Sequence, residues 1–300
     1  MKNKKKIVLF LIIILLIIVV VFSIKLIGNK DSYDKPYIPD GFKIIEKDIT
    51  KGLVIEDSAG NQYVWIPVDN KNVTLSRKTF VEKINNVSSK GAIERIYYGE
   101  EVLNSAINEY KDTKKYYKYS IDYFKNSVKK HGGFYVSRYE IGDSSSDEFR
   151  NSDSKSVLVS KKGYVPYNYV SRDEALTLSK KMYKDNENIT STLINSYAWD
   201  TLLEYISIKN KNYIFNKTDN KNQDIFKTGE SNDVVNNIYD LSGNVSEWTT
   251  EYSSVGSYDY IANCVNRGES FNSSKLSPVS RNYNDNVKNK YIGFRVILYF

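Results

Sequence analysis

An uncharged run at residues 7–24, built almost wholly of Ile, Leu, Val and Phe, constrains this chain more than any other stretch. As a helix it is about 27 Å long at roughly 1.5 Å per residue, close to the hydrocarbon thickness of a bilayer. A secretory signal peptide normally carries a shorter apolar region and a small-residue cleavage site. The flank Phe22-Ser23-Ile24-Lys25-Leu26-Ile27-Gly28 has no Ala-x-Ala and no Cys for a lipid anchor. The expectation is an uncleaved, single-pass membrane anchor over residues 7–28. The basic tail at 1–6, with Lys2, Lys4, Lys5 and Lys6, places that end in the cytoplasm by the positive-inside rule. Everything after about residue 29 is then expected outside the cell membrane.

The same flank explains the charge. The formal net charge is +7, but residues 1–30 hold six Lys and no acid, which leaves 37 basic residues against 36 acidic ones. The pI near 9.0 is therefore a membrane-flank effect and predicts no nucleic-acid partner. One Cys excludes an intramolecular disulfide framework, and one His excludes multi-His zinc or non-haem iron sites.

Residues 29–40, with Pro36 and Pro39, read as a linker to one domain at 41–300. Apolar runs at 43–46 and 53–55, turn chemistry at Ser58-Ala59-Gly60-Asn61 and a return at 62–68 predict a hairpin in which Pro67 sits at the exit or an edge. Residues about 70–115 are polar and weakly patterned, a surface insertion with a helix expected near 101–110. Ile121, Phe124 and Val128 share a helical face that His131-Gly132-Gly133 ends, with His131 expected at the surface or capping the helix. A strand follows at 134–141, then a Ser- and Asp-rich loop at 142–156. Ser171 and Glu174 predict a capping box for a helix to about Tyr183. A second helix follows Asn195-Ser196, with Trp199, Leu202, Leu203 and Ile206 on its apolar face. Strand-like segments at 265–271 and 292–298 close the chain, whose fold class reads as α+β and loop-rich.

Residues 237–249 concentrate the candidate chemistry. Asp240 and Glu247 lie seven apart around Ser242-Gly243-Asn244, a turn signal. Such a turn can bring both carboxylates and turn carbonyls to one point, the all-oxygen set that calcium requires. It can equally be a plain turn between short elements, with Trp248 buried and both acids solvated.

Several motifs together resemble the formylglycine-generating-enzyme family of sulfatase modifiers, whose domain is a C-type-lectin-like fold. Phe134-Tyr135-Val136-Ser137-Arg138-Tyr139-Glu140 resembles the family's early F-Y-x-x-x-Y-E strand, and Pro166 through Ala175 its P-V-x-x-V-S-W-x-x-A helix entry. Residues 197–205, Tyr-Ala-Trp-Asp-Thr-Leu-Leu-Glu-Tyr, stand where the family has E-W-E-Y-A. The most specific matches are residues 239–249 to Y-D-M-x-G-N-V-W-E-W-T, Arg267-Gly268-Glu269-Ser270-Phe271 to R-G-G-S-W, and the ending Gly293-Phe294-Arg295. Trp248, Arg267, Gly268, Gly293, Phe294 and Arg295 are the structural signature. The resemblance implies a structural calcium held by Asp240, Gly243, Val245 and Glu247.

It also implies what is missing. The family oxidase binds copper through two cysteines soon after the G-G-S segment, thiolates being suited to Cu(I). Ser273 and Pro278 occupy those positions, so no copper is expected. Cys264, before Arg267, reads as a buried small hydrophobe. No phosphate-cradling Gly-rich loop and no Ser-His-Asp set is present either. The first functional expectation is a membrane-anchored extracytoplasmic domain that binds or displays, its ligand a glycan, a peptide or another envelope protein. Tyr and Asn at 251–260 and 280–291 suit adaptable recognition. An enzyme with an altered catalytic set and a structural envelope protein are the alternatives.

Overall fold

The computed structural model describes residues 35–77, 79–80, 93–94, 118–149, 157–216, 218–221, 224–253 and 263–300. The chain enters through β1 (Phe42–Glu46), β2 (Val54–Asp57) and β3 (Gln62–Pro67), antiparallel neighbours in order. The tight β2–β3 connection turns at Gly60, whose φ of +85° only glycine adopts without strain, and Asp57 accepts the Asn61 N–H at 2.7 Å. Helix α1 (Ile121–His131) starts at the Ser120 cap and stops at Gly132, left-handed at φ +76°. It leads directly into β4 (Gly133–Ser137).

Helix α2 (Arg172–Lys181) carries the expected capping box: Ser171 and Glu174 each satisfy the other's backbone N–H. β5 (Thr190–Leu193) and α3 (Ser196–Ser207), capped by Asn195, follow. The chain ends with β6 (Ser246–Ser253), β7 (Asn263–Arg267), β8 (Arg281–Asn284), β9 (Ile292–Phe294) and β10 (Val296–Tyr299). Two larger sheets result, a six-stranded one in the order β1-β2-β3-β4-β10-β5 and a four-stranded one in the order β8-β7-β6-β9. The β6–β9 pair is parallel, setting Glu247 opposite Gly293.

Strand β3 shows why the six-stranded sheet is central. Val64 and Ile66 face a core built with Trp199, Leu202 and Ile206 of α3 and Phe124 of α1. Tyr63 and Trp65 face a second core with Ala175 and Leu176 of α2, Trp248 and Phe294. Alternate residues point to opposite faces, so a strand covered on both sides must be apolar throughout.

Several expectations change. The single strand expected at 292–298 is two strands in different sheets, with Arg295 at the crossing. Gly293 permits the approach, since a Cβ there would lie 2.8 Å from Val245 Cγ2. The strand expected at 265–271 ends at Arg267, because Gly268 turns the chain at φ +72°. In the loop expected at 142–156, Gly142–Asp143 pairs with Leu158–Val159 and Val165–Pro166. His131 is the last residue of α1, half-buried and packed against Tyr37 and Phe300 with ring centroids at 5.0 and 5.6 Å. The apolar run at 7–24 and the helix expected at 101–110 lie outside the described residues. Among those that are described, no helix is long and apolar enough to cross a membrane.

Candidate functional site

The turn after Ile238–Tyr239 is reversed by two residues in the left-handed region, Asp240 at φ +59° and Asn244 at φ +67°. Asn and Asp tolerate that region better than other non-glycine residues, which suits them to this turn. Asp240 is buried, and its carboxylate accepts the Gly229 N–H at 2.5 Å and the Ser231 hydroxyl. Asp233 accepts the Ser242 N–H at 2.7 Å and the Tyr213 hydroxyl at 2.8 Å. Glu140, just after β4, accepts the Val245 N–H at 3.0 Å and the Asn244 amide at 2.6 Å.

Glu247 meets Arg295. The Arg295 Nε lies 3.0 and 2.9 Å from the two carboxylate oxygens, and Nη2 lies 2.6 Å from Oε1. The same guanidinium donates to the carbonyls of Ser137 and Tyr239, both at 2.8 Å. One side chain therefore ties β4, the turn and β6 together. Both partners are fully buried, where a forked, charge-assisted pair is strong and removal of one partner is costly.

Four acids thus surround one arginine, and burial governs their protonation. Glu140 is raised well above the usual carboxylate range by burial, then by Asp240 and Glu247, against which the Val245 N–H and Arg295 act. Burial pushes Asp240 up to about 7, with the Ser231 and Gly229 donors opposing. Asp233 is also raised by burial. A neutral or shared-proton state relieves the desolvation cost that several buried charges would otherwise carry.

The resemblance assigns calcium to Asp240, Gly243, Val245 and Glu247, so the fit depends on which of their oxygens are free. Asp240 and Glu247 are both buried here, yet each of their carboxylate oxygens already accepts a hydrogen bond, and the group against Glu247 is itself a cation. Two of the four assigned ligands, the Asp240 and Glu247 carboxylates, are therefore already engaged, and an ion would have to displace those contacts. Of the other signature residues, Gly243 allows close packing, since a Cβ there would lie 2.7 Å from Leu276 Cδ2. Trp248 is fully buried and donates its indole N–H to the Val170 carbonyl at 2.8 Å.

A second buried charge network lies at the end of β7. Arg267 donates to Asp200 at 2.8 Å and to the Ser280 carbonyl at 3.0 Å, with its guanidinium 5.5 Å from the Trp199 ring centre. Arg281 bridges Asp200 at 3.2 Å and Glu251 at 3.1 Å, and Glu251 also pairs with Arg77. Glu269 accepts the Ser273 hydroxyl at 3.0 Å and the Ser280 hydroxyl. The Pro278 carbonyl accepts the Trp199 indole N–H at 3.0 Å. At the two positions that resemblance assigns to copper cysteines stand a serine closing a hydrogen-bonded turn and a proline anchoring a core tryptophan. Cys264 on β7 is buried, and burial raises its thiol above the usual range, the opposite of a reactive cysteine.

Sequence reading gives no structural role to Glu140, Asp200, Asp233, Glu251, Arg281 or Arg77. Their one local signal is a charge amid apolar neighbours, as at Asp200 beside Trp199; nothing in their spacing names the partner.

The two sheets, the helices packed on them and the long intervening loops define a mixed α+β, loop-rich domain with a buried acidic turn at the sheet junction. The family model of the sulfatase-modifying factor enzyme 1-like domain matches residues 114–299, and the chain belongs to that family. A solved structure, the "Crystal Structure of CarF", is similar at 14% identity and a TM-score of 0.42, over 56% of this chain and 87% of that one. None of the curated proteins compared with the chain matches it.

Proposed function

We propose that this chain is a membrane-anchored extracytoplasmic protein whose sulfatase-modifier-like domain binds or displays and does not run the family's copper-dependent oxidation. The observation that carries this reading is the fate of the thiols: Ser273 and Pro278 stand where the resemblance places the cysteine pair, and the one Cys is buried with its thiol held protonated. A serine hydroxyl and a proline cannot supply two soft thiolates to Cu(I). Both positions are taken up by hydrogen bonds inside the fold. A rigid scaffold with variable loops is suited to recognition of a glycan, a peptide or another envelope protein. The apolar run at 7–24 with its basic flank supports the anchor.

The test uses the full-length chain in detergent. Copper(I) titration and incubation with a Cys-containing sulfatase peptide should give neither stoichiometric copper binding nor aldehyde formation. Turnover of the peptide, even slow, would overturn the reading.

A further inference from the structure

We infer that the end of α1 carrying Lys129 and Lys130 is a membrane-facing surface, its partner the anionic headgroups of the bilayer in which residues 7–28 are anchored. This rests on the anchor reading above and adds an orientation for the domain. The first observation is where the incoming chain meets the domain. The Tyr37 ring packs on His131, the last residue of α1, with centroids 5.0 Å apart, and on Phe300 at 4.6 Å. The Tyr135 hydroxyl donates to the Tyr37 carbonyl at 2.9 Å, Ile38 packs against the second core, and Pro39 is buried. The chain therefore joins the domain beside the last turn of α1, which presents Lys129 and Lys130 to solvent.

The second observation is reach. The chain from Gly28 to Tyr37 spans at most about 30 Å in any conformation. A domain of about 260 residues has a radius of gyration near 18 Å, so roughly 45 Å separates its opposite poles. Tyr37 cannot be carried to the pole farthest from the bilayer, and the α1 end cannot be turned fully away from it. The third is charge. Lys129 and Lys130 are exposed, and neither is in an ion pair among the described residues. The tether at 29–36 sets Lys30 and Lys35 against Asp31 and Asp34 and adds no net charge. Asp122 lies about 12 Å along the helix from Lys130, and exposed Asp40 follows the docked segment, so the two lysines remain the larger charge. Attraction of basic side chains to anionic headgroups acts within a Debye length, a distance the short tether keeps within range. Tyr37, 37% exposed, adds an aromatic ring of the kind that settles at headgroup level.

The experiment reconstitutes the full-length chain in liposomes of phosphatidylcholine, with and without phosphatidylglycerol. A fluorophore on Asn126→Cys, exposed on α1 and on the side of Lys129 and Lys130, reports approach to the surface through quenching by nitroxide-headgroup lipid. Cys264 is buried and is left in place. The expected result is quenching several-fold stronger with phosphatidylglycerol. It should fall to the phosphatidylcholine level in Lys129→Gln/Lys130→Gln, and in the unsubstituted lysine pair at high salt. Quenching that ignores phosphatidylglycerol, or that survives both the double substitution and high salt, overturns the inference. So does its loss on adding inorganic phosphate at constant ionic strength, which would make a free anion the ligand. Flotation with the liposomes after a carbonate wash reads the anchor separately. Protein that fails to float refutes the anchor and the orientation with it; protein that floats with composition-independent quenching refutes the orientation alone.

Discussion

At the scale of single residues, the most informative side chains are those whose environment reverses their ordinary preference. His131 is held between Tyr37 and Phe300, and its Nε2 has no hydrogen-bond partner among the described residues. Burial, helped by Lys130, lowers its pKa below 6.5. The unfolded chain then binds the proton more readily, so His131 costs nothing at neutral pH and destabilises the fold as pH falls below about 6.5. The Tm of His131→Phe should therefore exceed that of the wild type by a margin that widens from pH 7 to pH 5. Parallel melting curves would mean that the imidazole protonates freely in place. Gly268 gives a steric case. At φ +72°, with a Cβ only 2.9 Å from the Leu241 carbonyl, Gly268→Ala should cost about 1–2 kcal/mol from backbone strain alone, and more from the clash. Denaturant unfolding measures it, and an unchanged midpoint would show that the turn relaxes.

Among elements, the helices follow their local signals closely and the strands do not. Ser171 with Glu174, Asn195, and Ser120 opposite Gly132 set helix ends through bonds within a few residues, which a reader of the sequence can see. Ser171→Ala should therefore destabilise by about 1 kcal/mol, with restoration by Ser171→Asp. The β7–α3 junction behaves differently. Asp200→Ala would leave Arg267 and Arg281 without a carboxylate they share inside the protein. That loss is expected to cost about 3–5 kcal/mol, read as a fall in urea midpoint at constant slope. A cost under about 1 kcal/mol would show that water replaces the carboxylate. The strand expected at 292–298 divides at Arg295 because each half serves a different sheet, and the one mark of the division in the sequence is that charge within an apolar run.

For the whole molecule, the question is where the domain sits and whether it catalyses or only binds. Deleting residues 1–28 should move the protein from a carbonate-resistant membrane pellet to the aqueous fraction without changing the domain's melting behaviour. Retention in the pellet would place the membrane contact elsewhere. Much of the organisation is legible in the sequence alone: the apolar run and its basic flank, the hairpin, the capped helices, the signature around Trp248, and the absence of a thiol pair. All of these depend on composition, on periodicity, or on groups a few residues apart, where sterics and hydrogen bonding act locally. Only the tertiary structure decided which partner each buried charge meets: Arg295 with Glu247 across 48 residues, Arg267 with Asp200 across 67, and Glu140 with the Val245 N–H across 105. A buried charge is tolerable only once a partner has been brought to it, and the partner's identity depends on how the sheets cross.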